Sequence, residues 1–547
     1  MLDQPAAQLP VSQRTNPERS FTEEVRALRL GEGEVFRGEG ILAVTKAILQ
    51  SGVAYVGGYQ GAPVSHLVDV LVESQDLLDE LGVHLETCTN ESSAAALLGA
   101  SINYPIRGCV TWKSIVGTNV AADALSNLAS PGVVGGALIV VGEDYGEGAS
   151  VIQERTHAYA AKSTLLLLDP RPEHGNMVRL VEHAFAMSEA SNMPAILELR
   201  IRACHVRGRF VCKDNRAPVV STQHLIAEPA GFDYMRLAHP PVTFRHEKLK
   251  IDQRLPAARR YIAEHGLNEG FTGTAHPDLG LVVQGGLYNA LMRALQTLGL
   301  ADDFGAPALS VHVLNVTYPL VPDEIGGFAA GKRALLVLEE GNPEYIEKDI
   351  ALLLRQQGDL HGAMLPLHGK DLLPAAGEYT VEVIAAGLIG FVERHLPQHD
   401  LSAARAWLAA NAQRRADVAK AVGTLPARPP GFCIGCPERP VFAALKLAQA
   451  NVGPVHIAAD IGCHAFGTFE PFSSGDPNAG SGLGLVICRD ICSAVGARLT
   501  LKNRRHSERG APGLRATVEL SRKPDAVPVE DIARPVAGIQ PADGGSV

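Results

Sequence analysis

Between Gly31 and about Arg207 the chain alternates short, mostly apolar strand-like runs with helical patterns, and this most restricts its fold. The runs are Ala54-Tyr-Val-Gly, Gly108-Cys-Val-Thr-Trp, Ala137-Leu-Ile-Val-Val, Thr164-Leu-Leu-Leu-Leu and Ala195-Ile-Leu-Glu-Leu. Helical patterns fall between them at Gly38 to Ser51, Val64 to Leu81, Ala121 to Leu128 and Glu173 to Ser191. A strand with no polar side has both faces covered, which predicts a parallel sheet between two helix layers. Ligands of such sheets sit at the carboxyl ends of the strands. One further strand, Val83-His-Leu-Glu-Thr, leads into Asn90 and Glu91, which open a small-residue helix from Ser92 to Ser101. Asn90 is a good N-cap and an acid in the first turn suits the helix dipole, so Glu91 has a purely structural explanation.

At 547 residues the chain exceeds one core, and a length prior gives about three or four domains. A polar arm, 1–30, leads into the first α/β domain, 31–207. In 208–270 strand runs vanish and Pro, His and basic residues rise, which reads as a linker with a helical part around Gln253 to Glu264. A second α/β domain, 271–395, has strands at Leu279-Gly-Leu-Val-Val, Val311-His-Val-Leu-Asn-Val and Arg333-Ala-Leu-Leu-Val-Leu-Glu, with a helix from Leu287 to Leu298. A connector, 396–427, carries a helix from Leu401 to Val422. A third segment, 428–475, has a helix at Pro440 to Ala450 and a strand, Val455-His-Ile-Ala-Ala, ending in Asp460-Ile-Gly-Cys463.

The net charge of −10 argues against a nucleic-acid surface, and no apolar run approaches the roughly 18 residues a bilayer demands. Met1 to Glu23 lacks the apolar core of a secretory signal. Nine scattered cysteines, with Cys433-Ile-Gly-Cys436 as the one close CxxC pair, are no disulfide framework and suit a reducing cytoplasm.

The order of motifs is the next signal. Gly58-Tyr-Gln-Gly61-Ala62-Pro63, Asn90-Glu91, Lys113-Ser-Ile-Val-Gly-Thr-Asn119-Val-Ala-Ala-Asp123 and Val140-Val-Gly-Glu-Asp144 occur in series. They resemble the pyrimidine-binding domain of indolepyruvate:ferredoxin oxidoreductase of the α-subunit type, a family of thiamine-diphosphate-dependent 2-oxoacid oxidoreductases. Asn315-Val-Thr-Tyr-Pro319 and Val337-Leu-Glu339-Glu340-Gly341-Asn-Pro-Glu344 resemble its transketolase-C-like domain. Cys433-Ile-Gly435-Cys436-Pro-Glu-Arg439 and Asp460-Ile-Gly462-Cys463 resemble the opening of its diphosphate-binding domain. The likeness covers roughly 31–475.

The resemblance implies thiamine diphosphate with Mg2+, an aryl 2-oxoacid such as indolepyruvate, ferredoxin, a γ-type partner subunit and a dimer. Glu91 matches the glutamate that hydrogen-bonds the aminopyrimidine ring, and burial against that ring should raise its pKa. Gly61, Ala62 and Pro63 would form a substrate-side turn; read alone they are an ordinary strand-to-helix turn. Lys113 and Asn119 would lie at a strand end and contact substrate carboxylate or cofactor; read alone, Lys113 is a solvated lysine. Gly435, Asp460 and Gly462 would belong to the cofactor site. The adjacent acids Glu339 and Glu340 are expected at the surface. Cys433, Cys436 and Cys463 supply three thiolates for a possible [4Fe–4S] cluster, with no fourth in place; the alternative is a glycine-rich turn packing the cofactor.

The likeness ends near Phe472-Ser-Ser-Gly475, and the expected Gly-Asp-Gly segment with its downstream Asn does not follow. Instead Gly480-Ser-Gly482-Leu-Gly484, Gly496 to Asn503 and Gly513 to Leu520 resemble the closing part of a histidine-kinase ATPase domain, a glycine box and final hairpin without the remaining boxes. Residues 523–547 have a disordered composition. Two other readings therefore stand beside the enzyme: a catalytically impaired paralogue acting as partner or scaffold, and an ATP-binding protein.

Overall fold

A computed structural model describes residues 21–146, 152–223, 233–358, 365–423, 432, 438–453, 463–468, 498–504 and 513–519. The chain divides into two units, Met1–Val441 and Phe442–Val547. Strands of the first are β1 Val35–Glu39, β2 Val53–Gly58, β3 His84–Thr87, β4 Arg107–Lys113, β5 Ala137–Gly142, β6 Leu166–Leu168, β7 Ala195–Leu199, β8 Arg207–Val211, β9 Glu269–Phe271, β10 His276–Gln284, β11 Leu309–Leu314, β12 Val316–Tyr318, β13 Ala334–Leu338 and β14 Leu367–His368.

The first sheet has seven strands in the order β12-β6-β7-β5-β4-β2-β3. All its pairings are parallel except β12 against β6. The apolar runs are buried on every residue in β2, β5 and β7, as the sequence predicts. Alternate residues feed opposite layers: Leu138 and Val140 pack with the helices Gly40–Gln50 and His174–Ser191, Ile139 and Val141 with Leu125 and Leu128 of the helix Ala122–Ala129.

Strand order fixes where a ligand can bind. From β2 the chain runs outward to β3, then returns across β2 to β4 and continues the other way to β5. The connections leaving β2 and β4 therefore diverge, and at such a switch point a crevice is expected between the carboxyl ends of the two strands.

The second sheet, in the order β14-β13-β10-β11-β9, is parallel apart from β9. It too is covered on both faces, with Leu281 and Leu336 on one and Val282 and Val337 on the other. Immediately after β11 the chain enters the first sheet as β12, so the two sheets share a connection at Asn315. That buried side chain donates to Leu267 O and to Glu269 Oε2, both at 2.9 Å, and accepts from Arg171 N at 2.9 Å.

Several expectations need correction. The pattern at Val64 to Leu81 is two helices, Ser65–Val72 and Gln75–Leu81, parted where Ser74 Oγ donates back to Val70 O at 2.6 Å. The small-residue helix is Glu91–Leu97, followed by a short Ala100–Asn103. The region read as a linker holds β8, antiparallel to β1, and nearly continuous helix from Val242 to Glu264 through a π-turn at Lys250–Arg254. The helices Ser402–Val422 and Glu438–Val452 lie where the sequence puts them. In the second unit Arg498–Arg504 and Gly513–Glu519 pair antiparallel, the hairpin expected at the end of the chain. No helix among the described residues is long and apolar enough to cross a membrane.

Candidate functional site

The crevice between β2 and β4 gathers most of the sequence-predicted residues. After β2, Val64 N donates to Gly61 O at 3.1 Å across a turn with a cis Ala62–Pro63 peptide. After β4, Lys113 ends its strand, 9% exposed, and its Nζ donates to Ala62 O at 3.1 Å. The lysine is thus buried against the turn rather than solvated. A Cβ on Gly61 would lie 2.4 Å from Lys113 Cβ, so only glycine lets the two loops touch. Pro63 in turn packs on Gly142 at the end of β5.

After β3, the Asn90 side chain accepts from Ser93 N at 2.8 Å and caps the helix, as expected. The cap leaves Glu91 at the first helical position, yet Glu91 is 8% exposed. Burying a carboxylate is expensive, so dipole complementarity alone does not explain the position. Its carboxylate lies over Gly117: a Cβ there would come within 2.8 Å of Glu91 Oε1 and 2.7 Å of Trp112 Cδ1. The sequence did not single out Gly117, because its constraint is a neighbour 26 residues away in the chain.

The helix bearing Gly117, Val116–Val120, is held by a chain of hydroxyls. Trp112 Nε1 donates to Thr118 Oγ1 at 3.0 Å, Thr118 and Ser114 share a hydrogen bond of 2.8 Å, and Ser114 bonds Thr156. Thr156 N donates to Glu143 Oε2 at 3.0 Å, and Tyr145 donates to the same carboxylate. Burial pushes the Glu143 carboxyl up, opposed by these donors and by Arg155. Asp144 lies beside it; burial raises its carboxyl as well, with Lys113 and Arg200 opposing. Asn119 sits in this helix rather than at a strand end, and accepts from Tyr159 OH at 2.5 Å.

The largest correction concerns Glu339 and Glu340. Both are buried, not at the surface. Glu340 accepts from Arg200 Nε at 2.7 Å, and Arg200 Nη1 is 2.7 Å from both oxygens of Asp169. Glu339 accepts from Arg155 and from the backbone of Ile346 and Glu347 at 3.0 and 2.9 Å. Arg155 also donates to Pro343 O at 2.7 Å. These ion pairs bolt the carboxyl ends of β6 and β7 to that of β13. A cavity of about 50 Å³ lies against them, lined by Asp144, Arg200, Arg202 and Glu340 among others. The larger cavity, about 530 Å³, opens at Pro131 and Asn192, by the amino ends of β5 and β7, away from the crevice.

Two buried histidines beside this framework set an acid limit on stability. His157 stacks on Tyr345 at 5.0 Å and His312 on Phe328 at 5.3 Å. Burial pushes them down to about 3 and about 4. In the unfolded chain both titrate near 6.5, so below that pH the unfolded state binds more protons and stability falls as pH falls. Each costs about 1.4 kcal/mol per pH unit, and the pair about 4 kcal/mol at pH 5. Urea unfolding at pH 7 and pH 5 should show this loss, reduced in His157→Phe.

Cys433, Gly435, Cys436, Asp460 and Gly462 lie outside the described residues, as do the strand expected at Val455 and the glycines 480–484. Cys463 opens a short helical turn, Cys463–Thr468.

The fold defines an α/β protein whose sequence-predicted site residues gather at the carboxyl edge of a parallel sheet. In sequence the chain is similar to curated subunits IorA of indolepyruvate oxidoreductase, which bears out the resemblance carried by the motifs. It is 28% identical over 444 residues to that of Methanothermobacter thermautotrophicus, 79% of this chain and 64% of the relative. It is 26% identical to those of Thermococcus kodakarensis and Archaeoglobus fulgidus, over 84% and 86% of this chain and 66% and 71% of the relatives. The chain thus spans about two thirds of the length of these proteins. A solved 2-oxoglutarate:ferredoxin oxidoreductase from Magnetococcus marinus superposes over 65% of each chain at a TM-score of 0.47 and 15% identity, too loosely to place a residue. No family model matches the sequence.

Proposed function

We propose that this chain is the thiamine-diphosphate-binding subunit of an oxidoreductase that decarboxylates an aryl 2-oxoacid, indolepyruvate, and passes electrons to ferredoxin. The observation that carries this is Glu91, a buried carboxylate over Gly117 beside the crevice between β2 and β4. The similarity to the indolepyruvate oxidoreductase subunits supports the same reading at the level of the whole chain.

The residues present fit the aminopyrimidine half of the cofactor. The glycine lets the Glu91 carboxylate seat directly against the helix Val116–Val120, which fixes where it would meet a flat ring. When bound, the cofactor supplies the electron sink for loss of CO2 from the 2-oxoacid. Glu91 holds a proton at the ring nitrogen and exchanges it as the cofactor is activated. The turn Gly61-Ala62-Pro63 shapes the substrate side. Lys113 anchors that turn through Ala62 O and presents a cation toward the substrate carboxylate. Asn119 orients Tyr159 at the rim. The diphosphate and Mg2+ would fall to the segment with Gly435, Asp460 and Gly462, and a [4Fe–4S] cluster to Cys433, Cys436 and Cys463. A γ-type partner, a second copy of this chain and ferredoxin complete the assembly. Cys88, Cys109, Cys204 and Cys212 are free thiols.

The test is indolepyruvate-dependent CO2 release and ferredoxin reduction by the chain co-purified with its partner. Activity requiring added thiamine diphosphate supports the proposal; its absence from the intact assembly opposes it. Gly117→Ala gives a second check. Its new methyl displaces the Glu91 carboxylate, and a shift of about 1 Å costs about 10²-fold in turnover. Turnover equal to wild type would mean that Glu91 need not occupy its observed position.

A further inference from the structure

Three ligand-bearing side chains outside the crevice converge where β1 ends. Glu39 is the last residue of β1 and is buried. Its carboxylate does not cap the helix Gly40–Gln50 that follows, but turns to two histidines. Oε2 lies 3.4 Å from Nδ1 of His66, in the first turn of the helix Ser65–Val72, and 3.6 Å from Nδ1 of His205, the last residue of the helix Ile201–His205. One donor atom from each residue falls within 4.8 Å of the others.

We propose that Glu39, His66 and His205 bind a borderline divalent cation of the zinc type. Metal–nitrogen and metal–oxygen bonds of about 2.0–2.2 Å in a tetrahedron put neighbouring ligand atoms about 3.4 Å apart. Two of the three edges already have that length. Two imidazoles and one carboxylate suit zinc rather than Mg2+ or Ca2+, which take all-oxygen shells. Water completes the tetrahedron from the solvent side, where His205 is 45% exposed.

The frame is set by backbone rather than by the ion. Glu39 pairs with Arg207 in the β1–β8 ladder, and Gly40 N donates to Val206 O at 2.9 Å, so the residues after Glu39 and His205 are tied together. A Cβ on Gly40 would strike Ala203 O at 2.0 Å, which keeps the strand and helix ends in close approach. The Phe21 ring meets His66 edge-on at 5.2 Å and shields one side. The Arg207 guanidinium, 3.7 Å from Glu39 Oε1, is 79% exposed and can swing into solvent.

The test is titration of the full chain with Co2+, then displacement by Zn2+. One equivalent should give the visible absorption of tetrahedral cobalt without the thiolate-to-cobalt band that the cysteines would add. Affinity should fall at least about 100-fold in His205→Ala and again in His66→Gln. Circular dichroism of both variants confirms that they fold; His205 is exposed enough for its loss to leave the fold intact. Absence of binding overturns the proposal. So does binding that His205→Ala and His66→Gln leave unchanged, or a thiolate band in the component of the spectrum that those variants lose.

Discussion

Glu91→Ala is expected to lower indolepyruvate turnover by about 10²–10⁴-fold, the range for loss of a group that moves a proton in catalysis. Its effect on stability should be small. The cap belongs to Asn90, whose bond to Ser93 N survives the substitution. The favourable placing of an acid at a helix N-terminus, about 0.3–1 kcal/mol, is lost with the carboxylate. The burial cost of the carboxylate disappears at the same time, which offsets that loss. The two accounts of Glu91 therefore separate: a capping residue shows itself in unfolding and not in turnover, a proton carrier the reverse. Turnover kept within about twofold of wild type would remove Glu91 from the mechanism. Glu91→Gln keeps the shape and a hydrogen-bond donor but cannot exchange the proton, so it should fall nearly as far.

Arg200→Ala should have the largest effect on stability, about 3–5 kcal/mol, because it strands buried carboxylates that the guanidinium now compensates. Asp169 and Glu340 each lose bonds of 2.7 Å, and Glu198, 3.7 Å from the same group, loses its nearest cation. Burial pushes the Asp169 and Glu198 carboxyls up, and Arg200 opposes that shift in both. Without Arg200 their folded pKa values rise further above the unfolded range near 4. The folded state then binds the extra protons, so the variant's stability falls as pH rises above about 4. Urea unfolding at pH 6 and pH 8 should find the greater loss at pH 8. A loss under about 1 kcal/mol, or one that shrinks with rising pH, would show that these carboxylates do not depend on Arg200.

The central sheet was legible because burial on both faces writes itself as mostly apolar runs, interrupted in β7 only by Glu198, whose charge partner Arg200 lies just beyond the strand. The pairing of β1 with β8 was not. Its residues alternate with Arg37, Glu39, Arg207 and Arg209, and its partners lie some 170 residues apart. Strand β12 has three residues, too few to carry a period. The acids Glu339 and Glu340 were misread for a related reason. Nothing local neutralises them, while Arg155 and Arg200 approach from 184 and 140 residues away. Lys113 was read alone as solvated because Ala62 O, which accepts from its Nζ, lies 51 residues back. Asn90 and Glu91 were legible because a cap is a local pattern. Gly117 was not, since only the fold brings it under Glu91.

The most direct measurement is a calorimetric titration of the purified chain with thiamine diphosphate and Mg2+, with ATP as the control ligand. The account predicts heat with thiamine diphosphate, lost in Glu91→Ala, and none with ATP. No heat with thiamine diphosphate, or heat with ATP alone, would contradict it.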